Sequence, residues 1–172
     1  MSTTDFALYL TDSQLQALKQ TDLTKLSEDE ALALCEALEA KERQRDIDRI
    51  ATGFKVDLVS FFRAPWSILE PELPICWSWH YDFLAEWLTM VASGEFKKRY
   101  PSKLGIIINV PPRTAKSTLC TVVFPVWTWL EHPERRFLCA SYSGDLAVDH
   151  AGKRRFLVKS KFFQEYFADR FT

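Results

Sequence analysis

The chain has no apolar run approaching the ~20 residues that a membrane-spanning helix needs, which excludes a transmembrane reading. Its start, MSTTDFALYL, has neither a basic n-region nor a cleavage site and does not read as a secretory signal. The four cysteines, Cys35, Cys76, Cys120 and Cys139, form no C-x-x-C pair and have no histidine cluster nearby. A zinc site or disulfide framework is therefore not expected; reduced thiols packed as small apolar groups are.

At 172 residues, 47% hydrophobic and 26% charged, the chain has the length and composition of one globular domain able to bury a core. Its net charge of −1 hides an asymmetry: residues 1–50 carry 11 acidic and 6 basic side chains, residues 51–172 carry 12 acidic and 16 basic. The basic body tolerates polyanions without demanding nucleic acid.

The most informative stretch is Leu104 to Leu119, LGIIINVPPRTAKSTL. Ile106, Ile107 and Ile108 are β-branched and apolar, as in a strand buried on both faces, and the run ends in a proline turn before Ala-Lys-Ser-Thr. Backbone N–H groups in the first turn of a helix lack intrahelical acceptors and carry partial positive charge, so such a handover suits a phosphate. In that reading Lys116 reaches the β- and γ-phosphates, the Ser117 hydroxyl sits on Mg²⁺, and Arg113 adds a second cation. Against the pattern G-x-x-x-x-G-K-[ST], Val110 and Ala115 stand where the glycines belong, so a plain surface turn before an ordinary helix stays open.

Residues 12–20 and 28–50 read as helices, the second with Ser27 and Glu30 as a capping box and Leu32, Leu34, Cys35, Leu38, Ile47 and Ile50 as an apolar stripe. The charged run KERQRDIDR is either a solvated face or a partner-binding one. Pro71 and Pro74 mark a connector. Trp79, Phe83, Trp87 and Val91 recur every fourth residue, a helical stripe expected to be core, with Gly94 as its stop. KKRYPSK at 97–103 is a solvated loop or a binding patch. A kink is expected at Pro125, with Trp127 and Trp129 anchoring the helix. RRFLCASYS, 135–143, reads as a second strand carrying Ser141 and Ser143 at its end, then a turn at Gly144-Asp145 into a helix: a βαβ unit. That helix bears Lys153, Arg154, Arg155 and Lys159, with Lys161 following, either a solvated face or a contact for DNA phosphates. Phe162, Phe163, Tyr166, Phe167 and Phe171 at the terminus need something to pack on, since each buried aromatic is worth roughly 1.5–3 kcal/mol.

NVPPRTAKST, followed by FPVWTWLEHPERRFLCASYSGDLA and KSKFFQEYFADRF, resembles the amino-terminal ATPase region of the large terminase subunit of tailed bacteriophages. The Trp79-His80 helix and the acidic leader look similar too; the likeness is good over roughly residues 50–172 and weak before them. In that family the loop reads Pro-Pro-Arg, two variable residues, then Lys-Ser. The resemblance implies an α/β fold: an incomplete P-loop NTPase, an additional-strand, RecA-like three-layer domain at 51–172, preceded by an acidic helical leader at 1–50. It implies a Walker A loop, with Pro112, Arg113, Thr114, Ala115, Lys116, Ser117 and Thr118 binding nucleotide. Lys116 and Arg113 would be catalytic, Ser117 would hold Mg²⁺, and Trp79 or His80 would line the adenine pocket. Lys153, Arg154 and Arg155 are the candidate DNA contacts.

No apolar run ends in Asp-Asp or Asp-Glu, so the strand that would hold Mg²⁺ through water is missing, and Asp145 suits a turn better. The resemblance places that Walker B strand and a nuclease domain beyond residue 172, with later strands lying between the two seen here. The chain is then expected to be a fragment or truncated product, not hydrolytically competent alone. The implied cofactors are ATP and Mg²⁺. The implied partners are double-stranded DNA, the small terminase subunit, the portal protein and other copies in a ring, with no membrane, in the cytoplasm of an infected bacterium. Two rivals stand beside this ATP-driven packaging motor: another P-loop NTPase such as a small kinase, for which no substrate lid is evident, and a helical interaction module with a degenerate phosphate loop.

Overall fold

The computed structural model describes residues 27–168. The chain divides into two compact units, Met1–Arg49 and Ile50–Thr172. The helix expected at 12–20, the side chain of Glu30 in the capping box and Phe171 lie outside the described residues. Helix α1 (Glu28–Val56) begins where Ala31 N–H donates to Ser27 O at 2.9 Å. In the first unit its charged run is solvated: residues 42–46 are exposed, and the Arg49–Asp46 pair, 2.8 Å apart in water, contributes little.

The second unit is built around a buried helix at 116–131. After α2 (Leu58–Arg63), α3 (Trp66–Leu69), α4 (Trp79–Ala92) and α5 (Glu95–Arg99), this helix opens at Lys116, takes π geometry over Thr118–Val123 and ends as α6 (Phe124–Glu131). Leu119, Val122, Val123, Val126 and Leu130 are almost completely buried on one face, and every residue from Val122 to Thr128 is buried, the mark of a helix enclosed on all sides at its centre. Helix α2 and α7 (Gly144–Lys159) pack against it, and α4 packs on α2. Asp57 caps α2, its carboxylate accepting from Val59 N at 3.0 Å and Ser60 N at 3.2 Å.

Pro125 is absorbed by a local change of helix type. It has no N–H for the carbonyl four residues back, Thr121 O, and that carbonyl instead accepts from Nη1 of Arg154 on α7. The turns before the proline widen to π geometry. The two tryptophans hold the helix to its surroundings: Trp127 Nε1 donates to Phe54 O and Trp129 Nε1 to Arg135 O, each at 2.8 Å.

The terminal aromatics close the core. Helix α8 (Lys161–Phe167) is capped by Ser160, whose Oγ accepts from Phe163 N at 3.2 Å and donates to Leu157 O at 2.6 Å. Phe163 and Phe167 are fully buried, and Phe162 and Tyr166 meet Phe54 edge-on at 5.4 and 5.5 Å.

The expected α/β architecture is not what forms. Among the described residues there is no strand and no sheet; the regular structure is helical throughout. The two runs read as strands, 104–110 and 135–143, form no strand pairing among the described residues, and no backbone group of 104–110 has a hydrogen-bond partner there. A strand exists only through its neighbour's N–H and C=O groups, so a β-branched run without a neighbour stays an extended connection. The expected burial of Ile106–Ile108 on both faces also fails. Ile106 and Ile108 are half-buried, but Ile107 is 95% and Leu104 100% exposed. The βαβ unit and the three-layer, RecA-like domain are accordingly replaced by a helical assembly. Nor are all cysteines packed: Cys35 and Cys76 are exposed, Cys120 and Cys139 half-buried, and all four are free thiols.

Phe163→Ala should destabilise the chain by about 3–5 kcal/mol, the cost of a large cavity in a closed core. Urea denaturation followed by circular dichroism reads this as a lower midpoint with an unchanged slope.

Candidate functional site

The turn before the buried helix is strained in an informative way. Two residues without the freedom of glycine have positive φ, Arg113 at 64° and Ala115 at 51°. A side chain there costs roughly 1–2 kcal/mol, so the surroundings must hold it in place. Ala115 is the position that the phosphate-loop pattern gives to glycine. Thr114 Oγ1 closes the turn on Pro111 O at 2.8 Å. Helical bonding starts with Leu119 N–H donating to Ala115 O at 2.9 Å, which leaves the amides of Lys116, Ser117 and Thr118 ahead of the first helical donor. Arg113 and Ser117 are exposed, and Thr114, Lys116 and Thr118 half-buried, so solvent reaches the turn.

Cys120 lies one helical turn beyond Lys116. Burial pushes its thiol up to about 11, while the nearby Lys116 ammonium acts in the opposite direction and loses to it.

Beside the turn, helix α4 and residues 106–110 enclose an apolar cavity of about 470 Å³. Trp79, His80, Phe83 and Trp87 line one side, Ile106 to Val110 the other, and Val110 leads directly into Pro111. The Nε2 atom of His80, a residue of this lining, is itself buried and without a hydrogen-bond partner. Such an atom costs roughly 1–3 kcal/mol unless a ligand satisfies it. The volume suits a small organic ligand.

The aromatic stripe on α4 is not core. The buried face of the helix is Tyr81, Leu84, Ala85, Leu88 and Ala92, and the stripe lies to one side of it, with Trp79 75% and Phe83 49% exposed. Gly94, at φ 76°, provides the left-handed link into α5. A period of four alone could not distinguish the core stripe from its neighbour; the second set of apolar residues, Tyr81, Leu84, Ala85 and Leu88, was the signal.

The basic helix α7 is partly committed inside the chain. Lys153 Nζ pairs with Glu70 Oε1 at 2.5 Å, and Arg154 holds the Thr121 carbonyl and meets Cys139 Sγ at 3.4 Å; Arg155 is exposed. The structure thus gathers 111–118 into one turn and sets Trp79 and His80 in the cavity next to it. Among the described residues there is no group of three or more His, Cys, Asp or Glu side chains placed to hold a metal, and no helix long and apolar enough to cross a membrane. No protein-family model, curated protein or solved structure matches the chain.

The Cys120 thiol also makes stability pH-dependent. Its folded pKa lies above the ordinary value of 9.0, so the unfolded chain loses this proton first. The contribution is present below pH 9 and is lost as pH rises toward about 11. Cys120→Ser should flatten the alkaline fall in denaturation midpoint relative to the native chain.

Proposed function

We propose that the turn at 111–118 holds the phosphates of Mg·ATP, and that the chain is the ATP-binding portion of a phage terminase large subunit, the motor that drives DNA into a procapsid. The observation that carries the nucleotide reading is Ala115 in the left-handed region directly before Lys116, at the head of a buried helix. That conformation turns successive amides toward one point, as the glycine of a phosphate loop does. The terminase assignment rests on the resemblance in NVPPRTAKST and the segments after it. The nucleotide reading uses only the turn, the helix and the neighbouring cavity; the sheet that the terminase resemblance implies is absent among the described residues.

In this reading the amides of Lys116, Ser117 and Thr118 bind phosphate oxygens, and the Lys116 ammonium offsets charge on the β- and γ-phosphates. Arg113, exposed on the same turn, adds charge at the outer phosphate. Ser117 offers its exposed hydroxyl to Mg²⁺, which would neutralise phosphate charge when bound. The base enters the cavity between α4 and residues 106–110, with Trp79 as a stacking surface and His80 in the lining. Hydrolysis, double-stranded DNA, the small subunit, the portal and the ring belong to the terminase part of the proposal. Arg155 is the remaining exposed member of the Lys153, Arg154 and Arg155 set for a DNA phosphate.

The helical architecture favours a second reading, an interaction module with a turn that binds no nucleotide. Isothermal titration of Mg·ATP separates the two. Saturable binding that Lys116→Ala weakens at least tenfold supports the nucleotide site; no heat at millimolar Mg·ATP overturns it and leaves the module.

A further inference from the structure

We propose that the aromatic strip from Trp79 to Tyr100 is a binding platform for single-stranded nucleic acid. The strip is a chain of ring contacts: Trp79 to Phe83 at 6.2 Å, Phe83 to Trp87 at 6.1 Å, Trp87 to Tyr100 at 5.9 Å in a stacked pair, and Phe96 against both Trp87 and Tyr100 at 6.3 and 5.5 Å. Trp79, Phe83 and Trp87 also line the cavity; Phe96 and Tyr100 carry the strip beyond it. None of the five rings is buried, although the opposite face of α4 has a core to pack on. Trp79 and Phe83 are exposed and Trp87, Phe96 and Tyr100 half-buried, and so much aromatic surface reached by water at one place is costly for a lone domain and marks a contact surface.

The charge beside the strip selects the occupant. Residues 95–103, EFKKRYPSK, hold Lys97, Lys98, Arg99 and Lys103 against the single carboxylate of Glu95. All four cations are exposed; Lys98 shares a loose surface pair with Glu95 at 3.6 Å, and Arg99 lies 5.8 Å over the Tyr100 ring. On α4, Asp82 is occupied by Trp77 Nε1 at 3.1 Å and Glu86 is exposed. Apart from the Trp87–Tyr100 pair at 21°, neighbouring rings are tilted by 45–65°, so the strip offers bases separate ring faces, with cations at one end for a phosphate backbone. A duplex conceals its base faces and would use the cations alone. This inference does not rest on nucleotide binding at the turn.

The test is fluorescence anisotropy of a labelled oligothymidylate of about 12 nucleotides, within the range of single-strand sites, against a duplex of equal length. The single strand should bind at least about tenfold tighter, quenching intrinsic tryptophan emission, because only it offers base faces. Lys97→Glu with Lys103→Glu, both at exposed positions, should weaken binding and reduce the salt slope by about 1.4, roughly 0.7 for each lost phosphate contact. Trp79→Ala, at a largely exposed ring, should weaken it by about tenfold. Lys116→Ala should leave it unchanged; a loss there would move the oligonucleotide to the phosphate turn and overturn the strip. No binding at low salt, equal binding of the duplex, or indifference to the Lys97, Lys103 and Trp79 changes would overturn it as well. So would self-association that Trp79→Ala abolishes in a chain that binds no oligonucleotide, which would assign the strip to a protein contact.

Discussion

Burial of the helix at 116–131 is the constraint from which the rest of the second unit follows. Leu119, Val122, Val123, Val126 and Leu130 are removed from water on every side, so α2 and α7 must close around them. The helix can be central despite Pro125 because Arg154 supplies the donor that the proline withholds from Thr121 O. Its fixed position also restrains the turn before it, where Arg113 and Ala115 adopt conformations that an isolated loop would relax. Rigid helix, strained turn and open amides are thus one structural unit.

Local signals in the sequence were legible where chemistry is local. Gly94 as a helix stop, Gly144-Asp145 as the entry to α7, the tryptophan anchors on α6 and the turn at Pro111 to Ala115 follow from backbone preferences and side-chain donors that act within a few residues. The terminal aromatics had to pack somewhere, and Phe54 and Phe61 are where they do. The absence of strands was not legible, since the β-branched run Ile106–Ile108 and the apolar stretch in 135–143 declare a local preference while pairing depends on residues distant in the chain. For the same reason Ile107 reads as core and stands in water.

The candidate site divides along the same line. Lys116, Ser117 and Arg113 share a turn because they share a short stretch of chain, whereas the cavity needs α4 and residues 106–110 brought together, which periodicity did not reveal. Lys153 and Arg154 looked like free cations in the sequence; Glu70 and Thr121 O, far away in the chain, engage both. A charge cluster describes a helix face, but its partners decide how much of it remains for a ligand.

The nucleotide site that we propose depends on the amides at the head of the buried helix meeting an anion. Amide hydrogen exchange of residues 113–118, with and without Mg·ATP, tests this most directly, because it reads those groups and not the fate of the nucleotide. Slowed exchange concentrated there, with little change along α7, is the predicted result; unchanged rates across the turn at saturating Mg·ATP would contradict the account.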